Sequence, residues 1–169
     1  MYFSASNFRL TALTAIISLT LAQPVIAKDL SPSLTEEFIR ETMAFEPDEA
    51  LKFAECADKP HPRCTYVWGS PHKKDEVRIN AGLAPEGKKL MIIFAQGASA
   101  KNFDQVTAVY SDAEPIENLG IAAVWSPRRH QISLMTETFL IMHVNIEDAG
   151  NDSLKTVAVD IANHILVAQ

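Results

Sequence analysis

Toward the end of the chain, apolar and polar positions recur with two different periods. Leu154, Val157, Ala158, Ile161, Ala162, Ile165 and Leu166 fall at helical spacing on one side. They predict a C-terminal amphipathic helix, capped by Asn151 or Asp152, whose side chains accept from the free N–H groups of a first turn. Before it, Phe139 to Ile146 has a period of two. Leu140, Met142, Val144 and Ile146 point one way; Phe139, Ile141, His143 and Asn145 point the other. Apolar residues on both faces predict a central strand. Gln131 to Leu134 alternates as a strand with one wet face does. Ile121 to Trp125 is an apolar run that should stop at Ser126-Pro127, because proline donates nothing to a ladder. Arg128, Arg129 and His130 form a polar tip between these two strands.

Upstream the pattern is less regular. Ser33 and Glu36 have capping-box spacing, and Leu34, Phe38, Met43 and Phe45 give the helix that follows an apolar side. Pro47 suits the first turn of a second short helix that would bury Leu51, Phe53 and Ala54. Thr65 to Trp68 reads as a strand ended by Gly69-Ser70-Pro71. Residues 72–87 read equally as strand or as a poor helix carrying Val77, Ile79 and Leu83, with a turn at Pro85-Glu86-Gly87. Leu90 to Ala95 is a continuous apolar run of strand length. Asn102 and Gln105 are candidate caps for a helix burying Phe103, Val106, Tyr110 and Ala113 and ending at Glu114-Pro115. Short polar tips between consecutive strands imply antiparallel pairing. The order predicts an α+β fold, an antiparallel sheet with helices packed against it. The segment Trp68 to Lys74 is similar to Trp125 to His130: an aromatic strand end, a Ser-Pro stop, a basic pair and a histidine. A duplicated strand–strand–helix unit would produce that likeness, as would two unrelated polar hairpin tips.

The chain's beginning changes the setting. Arg9, then Leu10 to Ala22 without a charge, then Val25-Ile26-Ala27 make a secretory signal peptide over residues 1–27, with cleavage after Ala27. Residues 28–169 would then be one domain in the periplasm or secreted. Arg9 is the only charge removed, so this domain is one unit more acidic than the whole chain's −6. Such a charge argues against nucleic acid as a partner. No later apolar run is long and isolated enough for stable membrane insertion. Export predicts that Cys56 and Cys64 are joined in a disulfide. Oxidation would consume both thiolates and so argues against a zinc site built from Cys56, His61, Cys64 and His72; no metal and no cofactor is expected.

Several residues resemble known families. A cysteine, then Cys64-Thr65-Tyr66-Val67-Trp68, then Gly120-Ile121-Ala122-Ala123-Val124-Trp125 before two strands and a terminal helix, resembles small exported bacterial domains. These are lipoproteins and the extracellular sensor domain of PknH-type kinases. The resemblance implies a sheet with helices on one side, around a cleft, and binding or sensing rather than catalysis. This chain departs in having no lipidation cysteine, no kinase and no second disulfide. Separately, Lys59-Pro60-His61 inside the Cys56 to Cys64 loop is similar to the protruding Lys-Pro-His loop of Ivy-type periplasmic lysozyme inhibitors. That likeness implies a histidine inserted into a lysozyme active site. Here the loop is longer and its flanks differ.

The candidate binding residues follow from these features. His61 sits between prolines in a loop stiffened by the disulfide, and stiffness lowers the entropy lost on binding. His72, Lys73 and Lys74 on one tip and Arg128, Arg129 and His130 on the other would form an anion site if both tips lie at one end of the sheet. Otherwise they are two solvated tips. His143 in an apolar strand reads as a hydrogen-bonded core residue, and His164 as a solvated one. Gly-x-Ser-x-Gly, His-Glu-x-x-His and a phosphate-cradling glycine loop do not occur in the sequence, which gives an enzyme no support. The expected function is non-enzymatic: an exported binding or accessory domain for a small anionic ligand or a partner protein. The alternative is an inhibitor of an extracellular hydrolase such as lysozyme.

Overall fold

A computed structural model describes residues 34–58, 62–95, 97–138, 140–148 and 151–168. The expected signal peptide, the Ser33 cap, the Lys59 to His61 loop tip and Phe139 lie outside these residues. The elements run α1 (Glu36–Thr42), β1 (Ala50–Ala57), β2 (Arg63–Gly69), α2 (Lys73–Asn80), β3 (Lys88–Ala95), α3 (Ala100–Thr107), β4 (Glu114–Pro115), β5 (Ala122–Ser126), β6 (Gln131–Met135), β7 (Ile141–Glu147) and α4 (Leu154–Val167). The strands make one sheet in the order β1-β2-β3-β7-β6-β5-β4, with every neighbouring pair antiparallel. The fold is α+β, as the alternation of periods predicts.

One face of the sheet holds the main core. Tyr66 and Trp68 of β2, Leu90, Ile92 and Phe94 of β3, Met142, Val144 and Ile146 of β7, and Ile132 and Leu134 of β6 are buried together. Helix α4 covers them with Leu154, Ala158, Ile161, Ala162 and Ile165, its one apolar side. Helix α1 lies beside it through Ile39 and Met43, and Phe38 stacks on His164 with ring centroids 3.8 Å apart. His164 is therefore a packed residue, not a solvated one. Burial of each large aliphatic side chain here contributes about 1.5–3 kcal/mol. The other face carries a smaller cluster in which Phe103 of α3 meets Met135 and Ile141. The structure departs here from the family resemblance, which implies helices on one side, by placing a helix on each face. Strand β7 lies between β3 and β6 and has buried residues on both faces, the central strand that its sequence predicts.

Several local expectations change. The second helix, placed over Leu51, Phe53 and Ala54, is strand β1. Short isolated helices are marginal, whereas this segment pairs along its length with β2 and is closed by the Cys56–Cys64 disulfide, Cα–Cα 4.1 Å. Residues 73–80 are helical because His72 caps them reciprocally: its Nδ1 accepts from Lys74 N–H and its N–H donates to Asp75. Helix α3 starts at a Ser99–Asn102 capping box and ends at Thr107; Val106 and Ala113 are exposed, and Glu114-Pro115 pairs with β5. Thr35 caps α1 by accepting from Phe38 N–H. Ser153 stands at the α4 cap without a side-chain bond, and Asn151 instead accepts from Ser153 N–H. The duplicated unit is not established: β2 leads through α2 and β3 to α3, whereas β5 leads through β6 to a further strand, β7.

Candidate functional site

The ladder places both polar tips at one end of the sheet. Trp68 lies opposite Lys88, Lys89 opposite Glu147, Asn145 opposite Gln131, and Gln131 opposite Ser126. The end of β2, the start of β3, the end of β7 and the β5–β6 tip therefore stand side by side. The Cys56–Cys64 pair lies toward the opposite end of the sheet.

Three cavities meet at Lys88. One, of about 360 Å³, is lined by His72, Lys74, Asp75, Lys52, Gly87 and Lys88. A second, of about 410 Å³, is lined by Gly87, Lys88, His130, Glu147 and Asp148. A third, of about 430 Å³, continues from Lys88 and Asp148 to Asn151 and Asp152. Lys88 is a wall common to all three, and the concave surface around it at this sheet end is the candidate groove. Gly87 sits at its centre with φ +158°, and a Cβ there would collide with the Trp68 carbonyl oxygen.

Several of the charges lining the groove are paired. Lys88 Nζ is 2.9 Å from Glu49 and 3.9 Å from Asp148, whose side chains are 9% and 6% exposed. The hydrogen bond to Glu49 leads in raising the Lys88 pKa, with the nearby carboxylates adding to it against a burial cost. Lys52 Nζ is 2.9 Å from Asp75 and donates to the Glu86 carbonyl at 3.0 Å. The Lys52 hydrogen bond lowers the Asp75 pKa, helped by His72 N–H. A ligand entering this groove meets ion pairs whose partners it must match.

The candidate residues separate into two groups. His72, Lys74 and His130 line the cavities around Lys88. Arg128 and Arg129 have contacts elsewhere: the Arg128 backbone N–H donates to Asp112 at 2.7 Å, and the Arg129 guanidinium lies 4.9 Å above the Tyr110 ring. Lys73 is exposed, and His61 lies outside the described residues. Sequence reasoning missed Lys52, Glu49, Lys88 and Asp148. Their only signal was charge at the ends of apolar runs, and their meeting depends on β3 pairing with both β2 and β7.

A second polar cluster lies on the α3 face of the sheet. Ser133 Oγ is 2.8 Å from His143 Nδ1 and 3.3 Å from the Tyr110 hydroxyl. Gln131 Nε2 donates to the Tyr110 hydroxyl at 2.8 Å and lies 3.3 Å from His143 Nδ1. Burial pushes His143 down to about 4. A serine–histidine contact has the residue types of a nucleophile and its base, but Ser133 is 0% exposed and its hydroxyl is held under Tyr110. This arrangement ties the segment after α3 to the sheet. Among the described residues, no group of three or more His, Cys, Asp or Glu is placed to hold a metal ion, and no helix is long and apolar enough to cross a membrane.

Comparison with protein-family models, curated proteins and solved structures finds no match.

Proposed function

We propose that the protein is an exported, non-enzymatic binding domain whose ligand site is the groove at the Lys88 end of the sheet. The observation that carries this reading is convergence. Cavities lined by His72 and Lys74 from one tip and by His130 from the other share Gly87 and Lys88. Polar side chains converging on one concavity are what a small polar ligand requires. Lys88, Lys74 and the two histidines supply donors for an anionic group, while Glu147 and Asp148 border the same groove and disfavour a bare polyanion. Export is supported by the signal-peptide pattern of residues 1–27 and by the disulfide, which persists in oxidising compartments. The likeness to PknH-type sensor domains is consistent with this role. Native mass spectrometry of protein drawn gently from its own periplasm tests it. A stoichiometric small adduct supports the reading, and a bare monomer contradicts a tightly held small ligand.

The second reading is a hydrolase inhibitor. Its specific support is the position of the Cys56–Cys64 pair, which closes the hairpin of edge strand β1 at the far end from the groove. A stapled hairpin at a sheet edge can enter another protein's cleft without disturbing the sheet. Full lysozyme activity in the presence of excess protein eliminates the commonest version.

A further inference from the structure

The two edges of the sheet are built differently. At one edge, β4 is only Glu114–Pro115. Pro115 has no N–H to offer, and the Glu114 carboxylate is held by Lys155 at 2.6 Å. At the other edge, β1 runs from Ala50 to Ala57 without a proline, and among the described residues no strand lies beyond it. Half of the backbone N–H and C=O groups of an edge strand turn away from its one neighbour. We propose that β1 is a docking edge for an extended segment of another protein, one that brings a lysine or arginine opposite Glu55.

The second half of β1 lacks the usual guards of an edge. Lys52 is the extra residue of a bulge, since Leu51 pairs with Trp68 and Phe53 with Val67. Its ammonium turns to Asp75 at 2.9 Å and to the Glu86 carbonyl at 3.0 Å, and its side chain is 9% exposed. Lys52 therefore does not stand over the open edge. Beyond the bulge, Phe53 to Ala57 pairs one for one with Val67 to Arg63. The Cys56–Cys64 disulfide ties this run to β2. A strand already held in place loses little entropy when another is added beside it.

The side chains of the run define the strand it would accept. Ala54 and Cys56 lie opposite Tyr66 and Cys64, on the face that α4 covers; Phe53, Glu55 and Ala57 lie on the other face. Ala54 and Glu55 are exposed. Glu55 carries the run's one charge, and among the described residues it has no ion-pair partner. A basic residue directly across from it makes a favourable cross-strand pair. The same carboxylate disfavours a second copy of this chain. Antiparallel pairing over the whole run would set Glu55 against Glu55, and shifted registers shorten the ladder. This edge does not depend on what the Lys88 groove binds.

Amide exchange on the intact protein, with synthetic strands as probes, tests the proposal. The first probe is the blocked peptide Thr-Val-Thr-Lys-Thr-Val-Thr, which can set its lysine opposite Glu55 and its valines opposite Phe53 and Ala57. The second has glutamate in place of the lysine. The lysine peptide should slow exchange within Phe53 to Ala57, and the glutamate peptide should bind roughly fivefold more weakly or worse. Glu55→Lys, at an exposed side chain, should reverse that preference. Methylating every backbone nitrogen of the lysine peptide keeps its charge and removes its donors, so binding should be lost. An unchanged preference in Glu55→Lys, equal binding of the methylated peptide, or no effect of either peptide on β1 would overturn the proposal. So would outward amides of β1 already protected in the dilute monomer, which would mean that the chain covers its own edge. Protection that rises with protein concentration alongside a dimer in sedimentation would give the edge to a second copy and likewise overturn it.

Discussion

Cys56 lies directly across the β1–β2 ladder from Cys64, with Cα atoms 4.1 Å apart. The bond closes a hairpin at the sheet's edge, where a strand has a neighbour on one side only. Replacing both cysteines by serine should lower stability by about 2.5 kcal/mol, the chain-entropy value for so short a loop. Urea unfolding checks this. An unchanged midpoint would mean that the ladder alone holds the hairpin.

Helix α2 is inside-out. It buries Asp75 and leaves Val77 70% and Ile79 42% exposed. Its main tie to the sheet is the Lys52–Asp75 ion pair. Asp75→Ala also removes the reciprocal cap made with His72 N–H. Amide exchange should show α2 losing protection while β2 and β3 retain theirs. Uniform protection across all three would contradict a helix held by that pair.

Gly87 has a positive φ, and a Cβ added there would collide with the Trp68 carbonyl oxygen. Gly87→Ala should cost about 1–3 kcal/mol through backbone strain, read as a lower urea midpoint. Because Gly87 lines two of the three cavities, the same change should weaken ligand binding. Wild-type stability in this variant would show that the turn can move aside.

The protein's stability should also depend on pH through His143. Its folded pKa, about 4, lies below its ordinary 6.5, so folding favours the neutral ring. The contribution is complete above the unfolded pKa and is lost as pH falls toward 4. Its upper bound is about 3 kcal/mol. Stability measured from pH 7.5 to pH 4 should fall more steeply in the wild type than in His143→Gln. Parallel curves would remove His143 from the account.

Much of the fold is legible from residue periodicity. The α4 stripe, the two-faced β7 and the Ser126-Pro127 stop each follow from a local pattern, and the structure repeats them. What was not legible depends on distant pairing. Leu51 to Ala54 reads as a helix because Pro47 before it suits a first helical turn, but the β2 ladder and the disulfide make it a strand. Residues 72–87 gave no period because α2 buries a carboxylate instead of an apolar stripe. The groove was half visible. His72, Lys74 and His130 stand out as tip residues, whereas Lys88, Glu49 and Asp148 come together only through the order of the sheet. Arg128 and Arg129 look equally suited to the site, yet at the Pro127 to Arg129 turn the Arg128 backbone donates to Asp112 and the Arg129 guanidinium lies over Tyr110.

The central claim is that a ligand sits around Lys88. The most direct measurement compares native mass spectra of the wild-type protein and Lys88→Ala, each purified gently from the same host under the same conditions. The account predicts a stoichiometric adduct on the wild type, and its loss or a drop of about tenfold or more in occupancy on the variant, the scale of a charge-assisted hydrogen bond. An adduct retained equally by both proteins would contradict it.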